Sequence, residues 1–412
     1  VLRDLADASV VFIAVSFLSV VIARRRWDVL RAPLVAVPLA TWLFLVAISG
    51  PLAWWEPLAA VGRGLAWLRF VCFFAAVVFW LFADEGDFRK VVICWGAVLA
   101  VVIVDGLVQG FFGTSLSGRP IFEGQRLTGP LKRPNIGRFV AFLFYPCLAA
   151  YLLHAGRALD ARRMVALALV LAVVVFFTVF SAERSATLLG LATVTGASIF
   201  LMARGRWYTV AGLGAIAASY AISALAVMAN ARLQIRIAPT AGIAQDFWNS
   251  EYGELIRAAV TAWKVQPATG VGLGNFMRVC DAFEPELAFG CLAHPHNIYL
   301  EWLAEAGAPG LAGLAVFALI ATVSVLLVLR LWKKRPLFAS VAAVGTIPTL
   351  FPLVPSQSFF SNWPAILWWS SLALACATAL HALRRAGDDL AERRAGDDLA
   401  ERRAGDGGGG AA

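Results

Sequence analysis

Eleven apolar runs leave this chain few folds to choose from. They cover 5–23, 34–49, 65–83, 91–111, 139–153, 164–180, 186–202, 207–228, 311–331, 337–351 and 365–383. Backbone in hydrocarbon must satisfy its own N–H and C=O groups, so only helices and closed barrels cross a bilayer. The runs are continuous and lack the alternation of barrel strands. Most approach the roughly 20 residues that a spanning helix needs. The expected fold is all-α, a polytopic transmembrane helical bundle with eleven visible spans. Hydrophobic residues make up 60% of the chain and charged residues 15%, with a mean hydropathy of +0.76. Soluble domains average roughly 45–50% and about 25%. A water-soluble enzyme, a disordered chain and a small disulfide scaffold are therefore excluded.

Charge placement sets the expected orientation. Every second loop is basic: Arg24-Arg25-Arg26 with Arg31, Arg89-Lys90, Arg157 with Arg162-Arg163, Arg204 with Arg206, and Lys333-Lys334-Arg335. These loops read as cytoplasmic, and Arg384-Arg385 brings the C-terminal tail to the same side. Eleven spans then put Val1 outside. No cleavable signal peptide is evident, and because the chain opens on Val a twelfth span ahead of it is a further expectation. The expected organisation is eight spans over 1–228 with an outer loop at 112–138, then a large, partly helical outer loop over 229–310. Three more spans over 311–383 and a flexible, charged, glycine-ended tail over 384–412 follow. The tail holds a tandem nonapeptide, 386–394 and 395–403, and is set aside from the functional argument. Trp54, Trp55, Trp363, Trp368 and Trp369 lie near span ends and read as interfacial anchors.

Lys and Arg number 35 against 26 Asp and Glu. In a membrane protein this excess points to topology signals and anionic ligands rather than to nucleic acid. The informative cations are those on the outer side. They are Arg119, Arg126, Lys132, Arg133 and Arg138 in the first loop, Arg184 in the short turn 181–185, and Arg232, Arg236, Arg257, Lys264 and Arg278 in the large loop. One reading is solvated loop charge, with pairing to Glu183, Glu251 and Glu254. The other is a phosphate-bearing ligand at the membrane boundary, which the planar guanidinium fork suits. Arg184 favours the second, because its turn is so short that it must stand at a span mouth.

Of four histidines, His154 and His381 sit near cytoplasmic span ends. His294 and His296 belong to His294-Pro295-His296-Asn297, late in the large loop. Residues 297–306 read as a short helix with Ile298, Leu300, Trp302 and Leu303 on its apolar face and Glu301 and Glu305 opposite. Gly307 and Pro309 end it. At a helix start, His296 feels the positive end of the dipole and stays neutral, as a general base requires. The rival readings are a structural role and a metal site completed by Asp281, Glu284 or Glu286. Gly270, Gly272 and Gly274 lack the βαβ context of a dinucleotide loop and read as a close-packed turn. Cys72, Cys94, Cys147 and Cys376 lie in spans and read as small apolar residues. Cys280 and Cys291 share the outer loop and can close a disulfide in an oxidising compartment.

Taken together, these motifs resemble one family. His296-Asn297, nine residues, then Gly307-x-x-Gly310 is similar to the histidine signature of the O-antigen ligase family. Arg184-Ser-Ala-Thr-Leu188 is similar to its Arg-x-x-x-Leu signature. Arg257…Trp263…Pro267…Gly270-Val-Gly272-Leu-Gly274-Asn-Phe276 and Gly129…Pro134-Asn135…Gly137 resemble other stretches of the same superfamily. The resemblance implies a GT-C-like, multi-span glycosyltransferase with a lipid-linked donor, without cofactor or metal. The implied partners are undecaprenyl-pyrophosphate-linked O-antigen, lipid A–core oligosaccharide and membrane lipid, at the periplasmic face of the bacterial inner membrane. Joined to the residue reading, it assigns His296 as catalytic base. Arg184 and Arg257, helped by Arg133, Arg126, Lys132 and Arg138, would hold the donor pyrophosphate, with His294, Asn297, Gly307 and Gly310 in support. O-antigen polymerases and protein O-oligosaccharyltransferases share the pattern. A lipid-linked oligosaccharide flippase is the alternative outside enzymes, with Asp105 its clearest buried acid.

Overall fold

The structure is a computed structural model describing residues 2–82, 85–155, 161–237, 239–284, 287–288 and 290–406. Val1, Arg157, Glu286 and the glycines 407–410, named above, lie outside the described residues. Among the described residues the regular structure is helical, with two isolated antiparallel bridges, Thr114–Pro120 and Phe122–Arg126. The chain starts with α1 (Leu2–Ala23), a short α2 (Trp27–Arg31), α3 (Pro33–Phe44) and α4 (Pro57–Ala76). Then come α5 (Glu85–Phe112), α6 (Ile136–His154), α7 (Ala161–Phe180), α8 (Arg184–Met202) and α9 (Arg206–Ala229). The long loop carries α10 (Ala231–Ile237), α11 (Thr240–Gln245), α12 (Glu251–Val265) and α13 (Phe276–Phe283). The chain closes with α14 (Ile298–Leu326), α15 (Pro336–Ala343), α16 (Ile347–Leu350) and α17 (Asn362–Asp406), which continues through the tandem repeat.

Nine described helices are long and apolar enough to cross a membrane, and the shorter apolar stretches Pro33–Ser49 and Pro336–Leu350 occupy the second and tenth expected places. The protein is thus a helical, multi-pass membrane protein, as the apolar runs require. Its centre is α6, buried along most of its length against α5, α8, α15 and α17. The side chains of α1, α5 and α9 are mostly turned outward. Lipid offers little hydrophobic drive for helix pairing, so close approach and interhelical hydrogen bonds must do that work. Gly106 and Gly110 of α5 receive the rings of Phe177 and Phe180, where an added Cβ would lie 2.6 and 2.1 Å from ring carbons. Ser371 Oγ donates to the Phe142 carbonyl at 2.6 Å, and Tyr145 OH to that of Gly190 at 3.1 Å.

The structure corrects three details of the sequence reading. Trp368 and Trp369 are core residues, not anchors. Trp369 packs 5.6 Å from both Trp67 and Phe74, and Trp368 lies 4.8 Å from Phe359, because α4 and α14 cover this end of α17. Trp54 and Trp55 are exposed. The tenth span is not continuous. It stops at Ala343, turns through 344–346 and resumes for one turn before a non-helical segment over 351–361. Gly345 and Pro348 explain the break, since both oppose helix propagation. Glu301 and Glu305 are not on a solvated face, because each is 99% covered. α14 itself changes direction at Gly307 (φ 70°, ψ −175°). A Cβ there would meet Gly270 N at 2.7 Å and the Pro267 carbonyl oxygen at 2.9 Å, so glycine is required on both counts.

A smaller core ties the long loop to this bend. Leu255, Ala258, Ala259 and Ala262 of α12 pack with Val271, Phe276, Val279 and Cys280 against Ala304 of α14. Cys280 and Cys291 are disulfide-bonded, their Cα atoms 5.8 Å apart. Cys72, Cys94, Cys147 and Cys376 are free thiols.

Candidate active site

The two loop histidines converge on one backbone carbonyl. His296 Nδ1 lies 3.2 Å and His294 Nε2 3.3 Å from the Ser356 oxygen. A carbonyl only accepts, so each of these nitrogens carries its ring proton. His296 therefore keeps Nε2 as its lone-pair nitrogen. The rings lie 4.3 Å apart and nearly edge to face. His296 has φ +52°, outside the helical region, and its own carbonyl accepts from Ser356 N at 2.6 Å. Asn297 caps α14: its Oδ1 accepts from Tyr299 N at 3.0 Å and Leu300 N at 3.2 Å. Its Nδ2 donates to the Pro352 carbonyl at 2.7 Å.

Burial holds both imidazoles neutral. His294 is pushed down to about 4 by burial, reinforced by His296 and Arg138. His296 is also lowered, first by burial, with Arg138 adding to it and Ser356 and Glu251 opposing. Desolvation, rather than the helix dipole invoked from sequence, is the leading cause. His154 and His381 lie elsewhere, both against the Phe88 ring.

The guanidinium whose charge acts on both imidazoles is that of Arg138, at the start of α6. One Nη2 donates to Ser185 Oγ at 2.6 Å and to the Pro355 carbonyl at 3.0 Å, joining α6, α8 and the 351–361 segment. Its neighbour Glu183 is buried, accepting from Gly137 N at 2.7 Å and Arg138 N at 3.3 Å. Burial raises Glu183 to about 7 against the opposing pull of Arg138 and these N–H groups. Arg184 Nε donates to the Arg236 carbonyl at 3.0 Å, and its side chain pairs with Tyr252. Arg236 feels Arg184 and Arg126 as like charges, with burial the larger effect lowering its pKa. Arg126 binds Glu123 at 2.9 Å and lies over the Phe122 ring. The Nε atoms of Arg126 and Arg236 are buried without an acceptor among the described residues. Such donors favour an anion.

The cluster thus includes Arg126, Arg138 and Arg184 of the expected set and adds Arg236, which the sequence reading kept only among loop cations. Lys132 and Arg133 are exposed on the loop just before α6. Arg257 is exposed on α12 and donates to the Trp248 carbonyl at 2.5 Å, apart from the cluster's contacts. Arg232 has a structural task, donating to the carbonyls of Gln125 and Phe180 at 2.6 Å each. Gly310 serves packing: a Cβ would lie 2.3 Å from that of Ala306. Among the described residues no three His, Cys, Asp or Glu side chains form a metal-ready group, and Glu284 is engaged by Thr261 at 2.7 Å.

Residues 169–315 match the O-Antigen ligase family model. Over that segment the chain is similar to the O-antigen ligase family. The segment includes Arg184 to Leu188, Arg257, both loop histidines and the Gly307–Gly310 bend, in agreement with the resemblance noted from the motifs. The match supports a ligase- or polymerase-type enzyme. No curated protein matches the chain. The family segment ends before residue 351, so the Ser356 carbonyl that both histidines contact lies outside it.

At the Ser356 carbonyl shared by the histidines opens a narrow crevice of about 40 Å³. Arg138, Ser356 and Gln357 give it a polar wall, and Phe142, Leu189 and Trp368 an apolar one. An amphiphile held at a membrane boundary would find both halves of its chemistry here.

Proposed function

We propose that this protein is an O-antigen ligase acting at the periplasmic face of the bacterial inner membrane. It transfers O-antigen polysaccharide from undecaprenyl pyrophosphate to a sugar hydroxyl of lipid A–core oligosaccharide, with inversion and without metal. The observation that carries this reading is the His296 imidazole, held neutral with Nδ1 on the Ser356 carbonyl beside the guanidinium of Arg138.

The acceptor oxygen attacks the anomeric carbon of the donor while its proton passes to His296 Nε2. The new carbon–oxygen bond forms as the bond to pyrophosphate breaks, and the electron pair leaves with the undecaprenyl pyrophosphate. Charge growing on that leaving group is met by Arg138, Arg184, Arg126 and Arg236, fixed in place before reaction begins. Lys132, Arg133 and Arg257 add long-range attraction for the anionic donor. The imidazolium then returns its proton to solvent. Asp105, the acid a flippase reading would use, already accepts from Leu116 N at 2.5 Å. That engagement supports an interfacial enzyme over a transport path.

The test combines purified protein, undecaprenyl-pyrophosphate polysaccharide and rough lipopolysaccharide, with capped product read on a gel. Capping that H296A and R184A each abolish, and that EDTA leaves unchanged, is the expected result. Wild-type-like transfer by H296A rejects the base assignment. Longer lipid-linked chains from donor alone would make the protein a polymerase instead.

A further inference from the structure

We infer that Glu301 is a positioning residue for His296, acting through the segment 356–360; the inference rests on the reading of His296 as the base. Glu301 is buried within the first turn of α14, where a carboxylate is costly unless strongly hydrogen-bonded. One oxygen accepts from Ser358 Oγ at 2.5 Å and the other from Phe359 N at 2.7 Å. Both partners lie on the non-helical segment that supplies the Ser356 carbonyl. That segment has no regular backbone ladder over 351–361, so beyond the bond from Ser356 N to the His296 carbonyl its position is set by side chains.

Its other ties are partly exposed. Asn297 reaches the Pro352 carbonyl, Arg138 that of Pro355, and Gln357 Nε2 donates to Asn135 Oδ1 at 2.6 Å. Glu301 is the fully buried anchor, and it grips the chain two and three residues after Ser356. The helix that carries Glu301 begins two residues after His296. Imidazole, clamp and carbonyl therefore move as one body. If the clamp opens, Nδ1 loses its acceptor, and the ring is free to carry its proton on Nε2, the atom the reaction needs bare. Glu305, one turn on, performs the matching task for the glycine turn: its oxygens accept from Gly274 N at 2.7 Å and Phe276 N at 3.2 Å.

Glutamine can replace Glu301 without breaking the clamp. Its carbonyl accepts from Phe359 N, and its amide donates to the Ser358 hydroxyl, which can accept as readily as donate. Alanine cannot do either. The experiment is nitrogen NMR of histidine-labelled protein in nanodiscs, where four histidines keep the spectrum simple and H296A identifies the signal. Steady-state transfer kinetics on the same preparations complete it. Wild type and E301Q should hold His296 in the Nδ1–H tautomer. E301A should shift it toward Nε2–H and lower kcat by about 10- to 100-fold, the usual cost of losing an outer-shell partner, with donor KM within about twofold.

If E301A does not fold, S358A removes one clamp bond with Glu301 in place and should give the same shift in smaller measure. An unchanged tautomer in E301A, or in S358A where it stands in, overturns the inference, as does an equal kcat loss in E301Q and E301A. If H296A itself retains transfer, the base assignment falls, while the tautomer spectra still judge Glu301.

Discussion

His296 Nδ1 stands 3.2 Å from the Ser356 carbonyl oxygen, and that contact leaves Nε2 as the basic face of the ring. Burial lowers the imidazole from the ordinary 6.5. The kcat/KM profile should therefore hold level through neutrality and fall on acidification with a midpoint below pH 6.5, as His296 takes up its proton. A midpoint above 6.5 in a pH–rate series would contradict a desolvated base.

Arg138 ties Ser185 and Pro355 together through one Nη2. Lysine keeps the charge but not the planar fork. R138K should lose about tenfold in rate, the equivalent of one charge-assisted hydrogen bond, and R138A more. Initial rates at matched expression will rank them, and equal rates for wild type and R138K would remove the geometric role.

Gly307 should resist substitution. G307A forces a side chain into a backbone region open essentially to glycine alone, costing about 1–3 kcal/mol, and drives a methyl group into Gly270 and Pro267. A clear drop in melting temperature in detergent is expected. Melting at the wild-type temperature would show that the bend relaxes at little cost.

The Cys280–Cys291 bond closes a loop of eleven residues' separation just ahead of the histidines. Its loss in C280S/C291S should cost about 2–3 kcal/mol on the loop-entropy picture. Transfer at low temperature should survive and heat inactivation should come earlier. Unaltered heat inactivation would mean that the α12–α13 core holds the loop alone.

Glu183 and His294 make opposite demands on pH. Glu183 rises from 4.5 to about 7, so its contribution is full below 4.5 and is lost as pH climbs through about 7. His294 falls from 6.5 to about 4, so its contribution is full above 6.5 and is lost as pH drops toward 4. E183Q removes the first dependence only. Its melting temperature should decline less than that of wild type between about pH 5 and pH 8, as a thermal-shift series can record.

Much of this architecture was legible in advance because hydrocarbon imposes one rule on every spanning segment, and apolar runs obey it visibly. Arg184, His296 and Gly307 stand out through spacing, whereas Asn297 reads from sequence as the first residue of its helix rather than as the cap. Other features left weaker marks. Arg138 looks like any loop cation until Ser185 and Pro355 are brought beside it. Arg236 becomes a site residue only when α10 folds back over the 181–185 turn. Glu301 fits the polar face of an amphipathic helix, and nothing local reveals that residues 358–359 will cover it. The 351–361 segment has no periodicity, and its sequence clues are Gly345 and Pro348 ahead of it and Pro352 and Pro355 within it.

The break after Ala343 has a practical consequence for anyone dividing this protein into parts. A chimera joined at residue 315 would inherit imidazoles from one parent and their carbonyl cradle from another. Swaps that respect the chemistry must carry Arg138 through Ser361 as a unit, however far beyond the recognisable family segment that reaches.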